Sequence, residues 1–150
     1  TRYGDRTALI FHDANISFRQ LYDEALKLAN GLNKLGYGPG DVISTYLPNS
    51  IQYVISYYGI LLSGATYSAI NPFAQVAEVV YQLKYTETKA VIAHESCAKN
   101  LIDHVDEIGL RDVIVTGQEE IDGIHGIIDT AQFSEHWYSL NALKISPIGG

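Results

Sequence analysis

The side chains best suited to catalysis or metal binding are few and widely spaced in this 150-residue chain. The five histidines are His12, His94, His104, His125 and His136. No two of them stand four residues apart, the spacing at which a helix presents two imidazoles to one zinc ion. Cys97 is the sole cysteine, which excludes an intrachain disulfide and any multi-cysteine zinc site. The sequence therefore predicts no metal site.

Two of these residues have neighbours that deserve a separate interpretation. His104 lies among Asp103, Asp106 and Glu107, on the polar side of a predicted helix, so we interpret the group as solvated surface and not as a metal site. Cys97 opens the same predicted helix, where a helix N-terminus lowers a thiol pKa. No residue nearby completes a nucleophilic set, and we predict no catalytic role for Cys97.

Two glycine-rich stretches have the composition but not the context of phosphate-binding loops. The run 36–40 follows a predicted helix and precedes a strand, whereas a dinucleotide loop follows a strand and opens a helix. Gly59 and Gly64 have P-loop spacing, but Ala65 and Thr66 replace the required Lys-Ser/Thr pair. Both stretches are better explained as helix ends or helix interior.

The loops that follow the predicted strands carry the remaining candidate ligand-binding groups. Parallel open sheets bind ligands beyond the carboxyl ends of their strands. The four loops concerned are Pro48-Asn49-Ser50, Asn71-Pro72, His94-Glu95-Ser96 and Thr116-Gly117-Gln118. Their amides, hydroxyls and single imidazole suit hydrogen bonding more than catalysis, and helix capping explains Ser50 and Ser96. We therefore assign no catalytic, cofactor-binding or metal-binding residue.

Composition narrows the class of protein and its partners. Seventeen acidic residues against ten basic ones give a net charge of −7, which disfavours nucleic acid and anionic membrane surfaces as partners. No run reaches the roughly 18 apolar residues of a transmembrane helix. The first residues, TRYGDRTALIF, lack the features of a signal peptide. We expect a cytoplasmic protein whose contact with membranes, if any, is peripheral.

The first third of the chain predicts a hairpin followed by an amphipathic helix. Apolar runs at 7–11 and 16–18 flank a polar turn. Ser17 and Gln20 have the spacing of a capping box at a helix start. Gly36 is expected in a left-handed conformation just beyond the helix end. The apolar positions of this helix are Leu21, Ala25, Leu28, Leu32 and Leu35.

Strands and helices then alternate. The predicted strands are 41–48, 66–70, 89–93 and 112–116; the predicted helices are 51–63, one around 76–83, and one running from a Ser96 cap to Ile108. This order indicates an α/β fold, a mostly parallel sheet flanked by helices with right-handed crossovers. We interpret 1–150 as one domain with its core in 1–117, and 118–150 as less regular linker with a short helix.

The predicted helix 51–63 is almost entirely apolar. Its tyrosines Tyr53, Tyr57 and Tyr58 recur at helical spacing without basic neighbours, which is typical of packing aromatics. Such a helix is normally buried on all sides. A domain of this size rarely supplies that much cover, so we expect the chain to be part of something larger or to self-associate as a homo-oligomer.

The stretch from Tyr3 to about Ala93 resembles the N-terminal region of acyl-CoA synthetases of the adenylate-forming superfamily. GDRTALIF and ISFRQLYDEALKLANGLNKLGYGPGD resemble that region's hairpin, first helix and turn. VISTYLPNSIQYVISYYGILLSGATYSAINP resembles its next strand, apolar helix and second core motif, and VAEVVYQLKYTETKAVIAH its following helix and strand. Ile70-Asn71-Pro72 is similar to the fatty-acyl and aryl-CoA ligase branch, not to peptide-synthetase domains.

The resemblance implies part of the large N-terminal domain of a fatty-acid or aryl-acid CoA ligase. Such an enzyme activates a carboxylate with ATP and magnesium as an acyl-adenylate and transfers the acyl group to CoA. The family's phosphate loop, its later nucleotide and magnesium motifs and its C-terminal lysine are not found here. The resemblance therefore implies a scaffold fragment, inactive alone, that binds none of these cofactors itself.

The alternation of strands and helices is also compatible with a free-standing flavodoxin-like nucleotide-binding or signalling module. A phospho-receiver places its acids at the carboxyl ends of strands, whereas Asp41 and Asp112 begin theirs. A flavin module needs a phosphate loop after an early strand, for which LPNS at 47–50 is a poor candidate.

Overall fold

A short antiparallel hairpin precedes the main sheet in the computed structural model, which describes residues 7–11 and 14–116 of the chain. Strand β1 spans Thr7–Phe11 and β2 spans Ala14–Ser17. The predicted hairpin is confirmed, although its second strand begins two residues earlier than the apolar pattern suggested. The expectations for residues 118–150 lie outside the described residues.

Helix α1, Phe18–Lys34, begins at the predicted capping box. The Ser17 hydroxyl accepts the Gln20 N–H at 3.2 Å, and the Gln20 side-chain oxygen accepts the Ser17 N–H at 2.9 Å. Both bonds satisfy amides that a helix start would leave unpaired. Gly36 follows the C-cap Leu35, and its φ of +98° confirms the left-handed conformation expected of it.

Four parallel strands form the central sheet. They are β3 (Val42–Tyr46), β4 (Thr66–Ala69), β5 (Ala90–His94) and β6 (Asp112–Thr116), in the order β4-β3-β5-β6. Helices α2 (Ile51–Ser63) and α3 (Val76–Tyr85) make the crossovers from β3 to β4 and from β4 to β5. The predicted α/β class, with a parallel sheet between helices, is confirmed.

Successive side chains of β3 point to opposite faces of the sheet, and helices cover both faces. Thr45 donates its hydroxyl to Tyr67 at 3.2 Å on the side where α1 and α2 pack. Ser44 pairs with the Thr88 hydroxyl at 2.7 Å on the opposite side. Both side chains are fully buried, so these partners spare the sheet two unsatisfied hydroxyls.

The single helix expected from Ser96 to Ile108 is wrong. The chain instead forms α4 (Glu95–Ala98), a 3₁₀ turn (Ile102–His104) and α5 (Val105–Ile108). The cap is His94, whose Nδ1 accepts the Ser96 N–H at 3.1 Å, and not Ser96. The break lets Leu101 turn fully into the core while Ile102, placed on the apolar face by its spacing, stays exposed.

Helix α2 packs closely against α1 on one side and faces solvent on the other. A Cβ at Gly59 would lie 2.5 Å from Leu28 Cδ2, and Asn33 of α1 donates to the Ser63 carbonyl at 3.0 Å. Large apolar side chains on the outer side are about half exposed: Tyr58, Leu61 and Leu62. The helix is therefore buried on one side only. None of the helices within residues 14–116 has the length and apolarity needed to cross a bilayer.

Because α1 and α2 lie so close together, any side chain at Gly59 should lower the free energy of unfolding. We expect Gly59→Ala to destabilise the chain by about 1–3 kcal/mol, because the new methyl would overlap Leu28 from Cβ to Cδ2. Gly38→Ala is the control, since a Cβ there meets its nearest neighbour at an ordinary 3.7 Å. Urea unfolding of both variants measures the difference; equal stability of the two would contradict the close approach.

One substitution just after the end of α3 should stabilise the chain. Glu87 is exposed and has φ +54°, the left-handed conformation that non-glycine residues adopt at a cost. We expect Glu87→Gly to raise the free energy of unfolding by about 0.5–1 kcal/mol. Thr86→Gly, one residue earlier with φ −82°, should instead destabilise, because its hydroxyl donates to the Gln82 carbonyl at 2.9 Å. Thermal and urea unfolding test the opposite signs.

Candidate functional site

An open pocket of about 600 Å³ lies beyond the carboxyl ends of β3 and β4. Its lining residues come from the two strand ends and the first turn of α2: Leu47, Pro48, Asn49, Tyr53, Ala69, Ile70, Asn71, Pro72 and Phe73. This is the edge at which parallel sheets bind ligands. Two of the four predicted strand-end loops thus meet in one place.

The first wall of the pocket is held by the start of α2. Ser50 caps this helix as expected, accepting the Tyr53 N–H at 3.1 Å and donating to the Pro48 carbonyl at 3.2 Å. Leu47 is buried, whereas Asn49 is exposed and presents its amide to solvent at the rim. The Ser50 cap therefore fixes the turn on which Pro48 and Asn49 sit.

The second wall follows β4. The Ile70 N–H donates to the Thr45 carbonyl at 2.8 Å, so the backbone stays on the sheet for one residue past the strand. The Asn71 side-chain oxygen then accepts the Phe73 N–H at 2.9 Å, so Asn71 braces this turn. Pro72 has no N–H for further pairing. Phe73 is left 88% exposed at the mouth of the pocket.

A line of hydroxyls anchors Tyr53 at the back of the pocket. Tyr53 and Tyr67 share a hydrogen bond of 2.8 Å, and Tyr67 also accepts from Thr45. The Tyr57 ring packs edge-on against Tyr67 with centroids 4.8 Å apart. Burial is the main cause that raises the pKa of Tyr67 to about 12. The hydrogen bond from Thr45 lowers this pKa, and the hydrogen bond with Tyr53 adds a further rise. The Tyr67 phenol is therefore a neutral hydrogen-bonding group at physiological pH.

The other strand-end candidates do not line this pocket. His94 contacts the Ser96 hydroxyl at 2.7 Å and serves as the α4 cap. Cys97 is buried, and burial raises the pKa of its thiol, with a hydrogen bond from Ser96 opposing the effect. That is the reverse of nucleophile activation. Residues 117 and 118 of the fourth loop lie outside the described residues.

The acidic group around His104 is a surface cluster. Glu107 contacts His104 Nδ1 at 3.1 Å and Lys84 at 3.8 Å. The hydrogen bond from His104 lowers the pKa of the exposed Glu107 carboxyl. Within residues 7–11 and 14–116, no three His, Cys, Asp or Glu side chains are grouped closely enough to hold a metal ion.

The pocket is equipped for binding and not for bond-breaking. None of its lining residues is charged, and its polar groups are the Asn49 and Asn71 amides and the Tyr53 hydroxyl. Sequence reasoning found the two loops but missed Tyr53, which it interpreted only as packing, and Phe73. An aromatic residue directly after Asn-Pro at a strand end was the available signal for Phe73.

The raised pKa of Tyr67 predicts how one part of the stability depends on pH. The folded state holds the phenolic proton more tightly than the unfolded chain, so this contribution is fully present below pH about 10 and is lost as the pH rises toward 12. Tyr67→Phe should remove that part of the alkaline loss of stability. Tyr81→Phe, an exposed tyrosine of α3, is the control and should leave the profile unchanged. Urea unfolding between pH 8 and 11.5 decides; identical profiles for wild type and Tyr67→Phe would contradict the assignment.

The sequence of this chain matches one family model and several known proteins. Residues 1–142 match the model of the family described as AMP-binding enzyme. A long-chain-fatty-acid–CoA ligase of Bacillus subtilis is 37% identical over 91 residues, 61% of this chain and 16% of that protein. 4-Coumarate–CoA ligase 1 of Petroselinum crispum is 33% identical over 117 residues, 77% of this chain and 22% of that protein. The chain spans about a fifth of the length of these relatives.

Solved structures agree on the architecture. An anthranilate CoA ligase in complex with anthranoyl-AMP superposes with a TM-score of 0.71 at 27% identity, covering 76% of this chain and 22% of that one. A long-chain-fatty-acid–CoA ligase from Archaeoglobus fulgidus superposes with a TM-score of 0.75 at 22% identity, covering 91% and 28%. With a family model that matches most of its residues, the chain belongs to the AMP-binding enzyme family, of whose members it spans a fragment.

Proposed function

We propose that this chain is the N-terminal scaffold portion of an ATP-dependent acid–CoA ligase. In the proposed reaction, a carboxylate oxygen attacks the α-phosphorus of ATP, forming the acyl-adenylate and releasing pyrophosphate. The sulfur of CoA then attacks the acyl carbon, forming the thioester and releasing AMP. The substrate class we favour is a fatty acid or a related aryl acid, and an acidic protein of this kind suits the cytoplasm.

One observation carries this proposal: the similarity to relatives named as CoA ligases is continuous over 91 and 117 residues. It is not a short motif that an unrelated sheet protein could share. The Ile70-Asn71-Pro72 run, which resembles the CoA-ligase branch, forms one wall of the pocket. Relatives also include a dimodular nonribosomal peptide synthase at 32% identity. The experiment must therefore distinguish a CoA ligase from a peptide-synthetase domain.

The described residues do not fit ATP or magnesium. The pocket has no charged side chain to oppose a triphosphate, and residues 7–11 and 14–116 have no cluster of metal-binding side chains. Phosphoryl chemistry depends on cationic groups and metal ions that neutralise developing charge. We therefore assign no step of either half-reaction to a residue described here.

The proposed contribution of this chain is positional. Parallel pairing of β3 with β4 holds the loops 47–50 and 69–73 beside each other, and the Ser50 cap and Asn71 brace fix their turns. Groups supplied by the rest of the enzyme would be built against this edge. The strand order β4-β3-β5-β6 is compatible with the flavodoxin-like alternative, but the pocket is not: it lies at the ends of β3 and edge strand β4, whereas a flavodoxin-like ligand site lies at the β3–β5 point where the order reverses.

The proposal predicts activity only when the chain is joined to the remainder of the enzyme. The protein carrying this chain at the full length of its relatives should form AMP in a CoA-dependent reaction with palmitate, octanoate, benzoate or coumarate. The 150-residue chain alone, given ATP, magnesium, CoA and the same acids, should release no pyrophosphate above a protein-free blank.

Three outcomes would contradict separate parts of the proposal. Pyrophosphate release by the 150-residue chain would overturn its scaffold role. Adenylate formation without acyl transfer to CoA by the longer protein would exclude a ligase and retain the family. No exchange of pyrophosphate into ATP with any acid would overturn the adenylate-forming function altogether.

A further inference from the structure

His94 joins the carboxyl end of β5 to the short helix α4. Its backbone is extended, with φ −66° and ψ 149°, and its ring nitrogen Nδ1 accepts the Ser96 N–H at 3.1 Å. The Ser96 hydroxyl lies 2.7 Å from the same nitrogen. The imidazole thus fills the capping role that Ser, Thr, Asp or Asn usually has. We call these two contacts of Nδ1 with Ser96 the His94 clasp.

The clasp requires one form of the imidazole ring. A backbone N–H can only donate a hydrogen bond, so Nδ1 of His94 must present a lone pair to Ser96. The ring is therefore the neutral tautomer with its proton on Nε2. The Ser96 hydroxyl can reverse its role and accept a proton from Nδ1, whereas the Ser96 amide cannot. Protonation of Nδ1 therefore removes the capping bond itself.

The capping bond matters more for α4 than for the longer helices. The first four amides of a helix have no partner within it, and α4 has four residues, Glu95–Ala98. Helices α1 and α2 have 17 and 13 residues, so they continue for several turns beyond their caps. Loss of the cap therefore removes a larger share of the hydrogen bonds at α4 than it would at either of them.

Cys97 is a buried side chain directly after the clasp. It is 6% exposed, and its sulfur lies 4.0 Å from the Ser96 hydroxyl. Ala98 and Leu101 are buried beyond it and hold the end of this segment in the core. Loss of the cap should therefore open the start of α4 and not unfold the chain. Opening there brings the thiol of the sole cysteine to solvent.

The titratable residues around the clasp come from β3, β6 and the segment that follows His94. Strand β5 pairs with β3 on one side and with β6 on the other. These residues are one at the end of β3, one at the start of β6 on the opposite edge of the sheet, and three that follow His94 in the chain: Tyr46, Asp112, Glu95, Cys97 and Lys99. Glu95 and Lys99 are the acid and the base nearest to His94 in sequence, so both are replaced by neutral residues in the experiment.

We propose that the His94 clasp is a pH-sensitive switch, in which a proton gained by Nδ1 in mild acid releases the start of α4 and exposes Cys97. The proton comes from solvent, and no covalent bond between heavy atoms changes. Histidine side chains ordinarily take up this proton between about pH 8 and pH 5. The clasp is complete above that range and is lost as the pH falls through it, because only a ring without a proton on Nδ1 accepts the Ser96 N–H.

Reaction of the single thiol with 4,4′-dithiodipyridine, followed in the 150-residue chain between about pH 8 and pH 5, tests the switch. The matched variant is His94→Asn, whose amide oxygen accepts the same N–H and does not titrate; His94→Ser is a second cap of this kind. Dividing the rate for the unmodified chain by that for His94→Asn at each pH removes the change in thiolate fraction that both share. We expect this ratio to be constant near pH 8 and to rise roughly fivefold by pH 5, the effect typical of a lost N-cap.

Three further variants separate His94 from other titrating groups. His104→Asn removes an exposed imidazole that contacts Glu107 at 3.1 Å, and the rise in the rate ratio should persist in it. Glu95→Gln and Lys99→Gln should keep the rise and change only the pH at which it is half complete. Hydrogen exchange followed by NMR reads the capping bond directly, and the Ser96 amide should lose protection over the same pH range.

A rate ratio that stays constant from pH 8 to pH 5 would overturn the proposal. So would a rise that His104→Asn abolishes, since another imidazole would then be responsible. Circular dichroism at each pH detects unfolding of the whole chain; if the fold is lost before the Ser96 amide loses protection, the clasp does not open by itself and the proposal fails. None of these results depends on ligase activity, so the switch and the proposed function stand or fall separately.

Discussion

The position of β3 between β4 and β5 is the constraint on which the rest of the structure depends. Its backbone pairs in parallel on both sides, and its side chains alternate between the two helical layers. A strand in that position is buried on both faces, so each polar side chain on it needs a partner. Ser44 and Thr45 find theirs in Thr88 and Tyr67, which lie on neighbouring elements. The pairing thus sets the sheet and orients the layers together.

The location of the pocket follows from the same pairing. Parallel strands in register end at one edge of the sheet, so the chain must leave β3 and β4 side by side and turn there. Ser50 and Asn71 stabilise the two turns by accepting backbone N–H groups. The resulting wall is apolar with a few amides and hydroxyls, which suits shape and hydrogen-bond recognition. Charge would have to come from another part of the enzyme.

The two helical layers differ in how completely they are buried. Helix α3 buries Val79, Val80 and Leu83 and exposes polar and tyrosine side chains, as a surface helix does. Helix α2 buries one side against α1 and the sheet but has apolar residues on the other side as well. The apolar composition of α2 therefore exceeds what its contacts with α1 and the sheet require.

The sequence by itself determined the elements and their order, because caps, breakers and apolar spacing act over a few residues. The Ser17–Gln20 box, the left-handed Gly36 and the four strands were all readable in this way. The family resemblance was also readable, from the order of these segments. What only the tertiary structure decided was contact between distant segments: the meeting of loops 47–50 and 69–73, the anchoring of Tyr53 by Tyr67, and the break in the helix expected at 96–108. Periodicity records which residues are apolar, but Leu101 is buried and Ile102 exposed because of what packs against them, and that depends on parts of the chain far away in sequence.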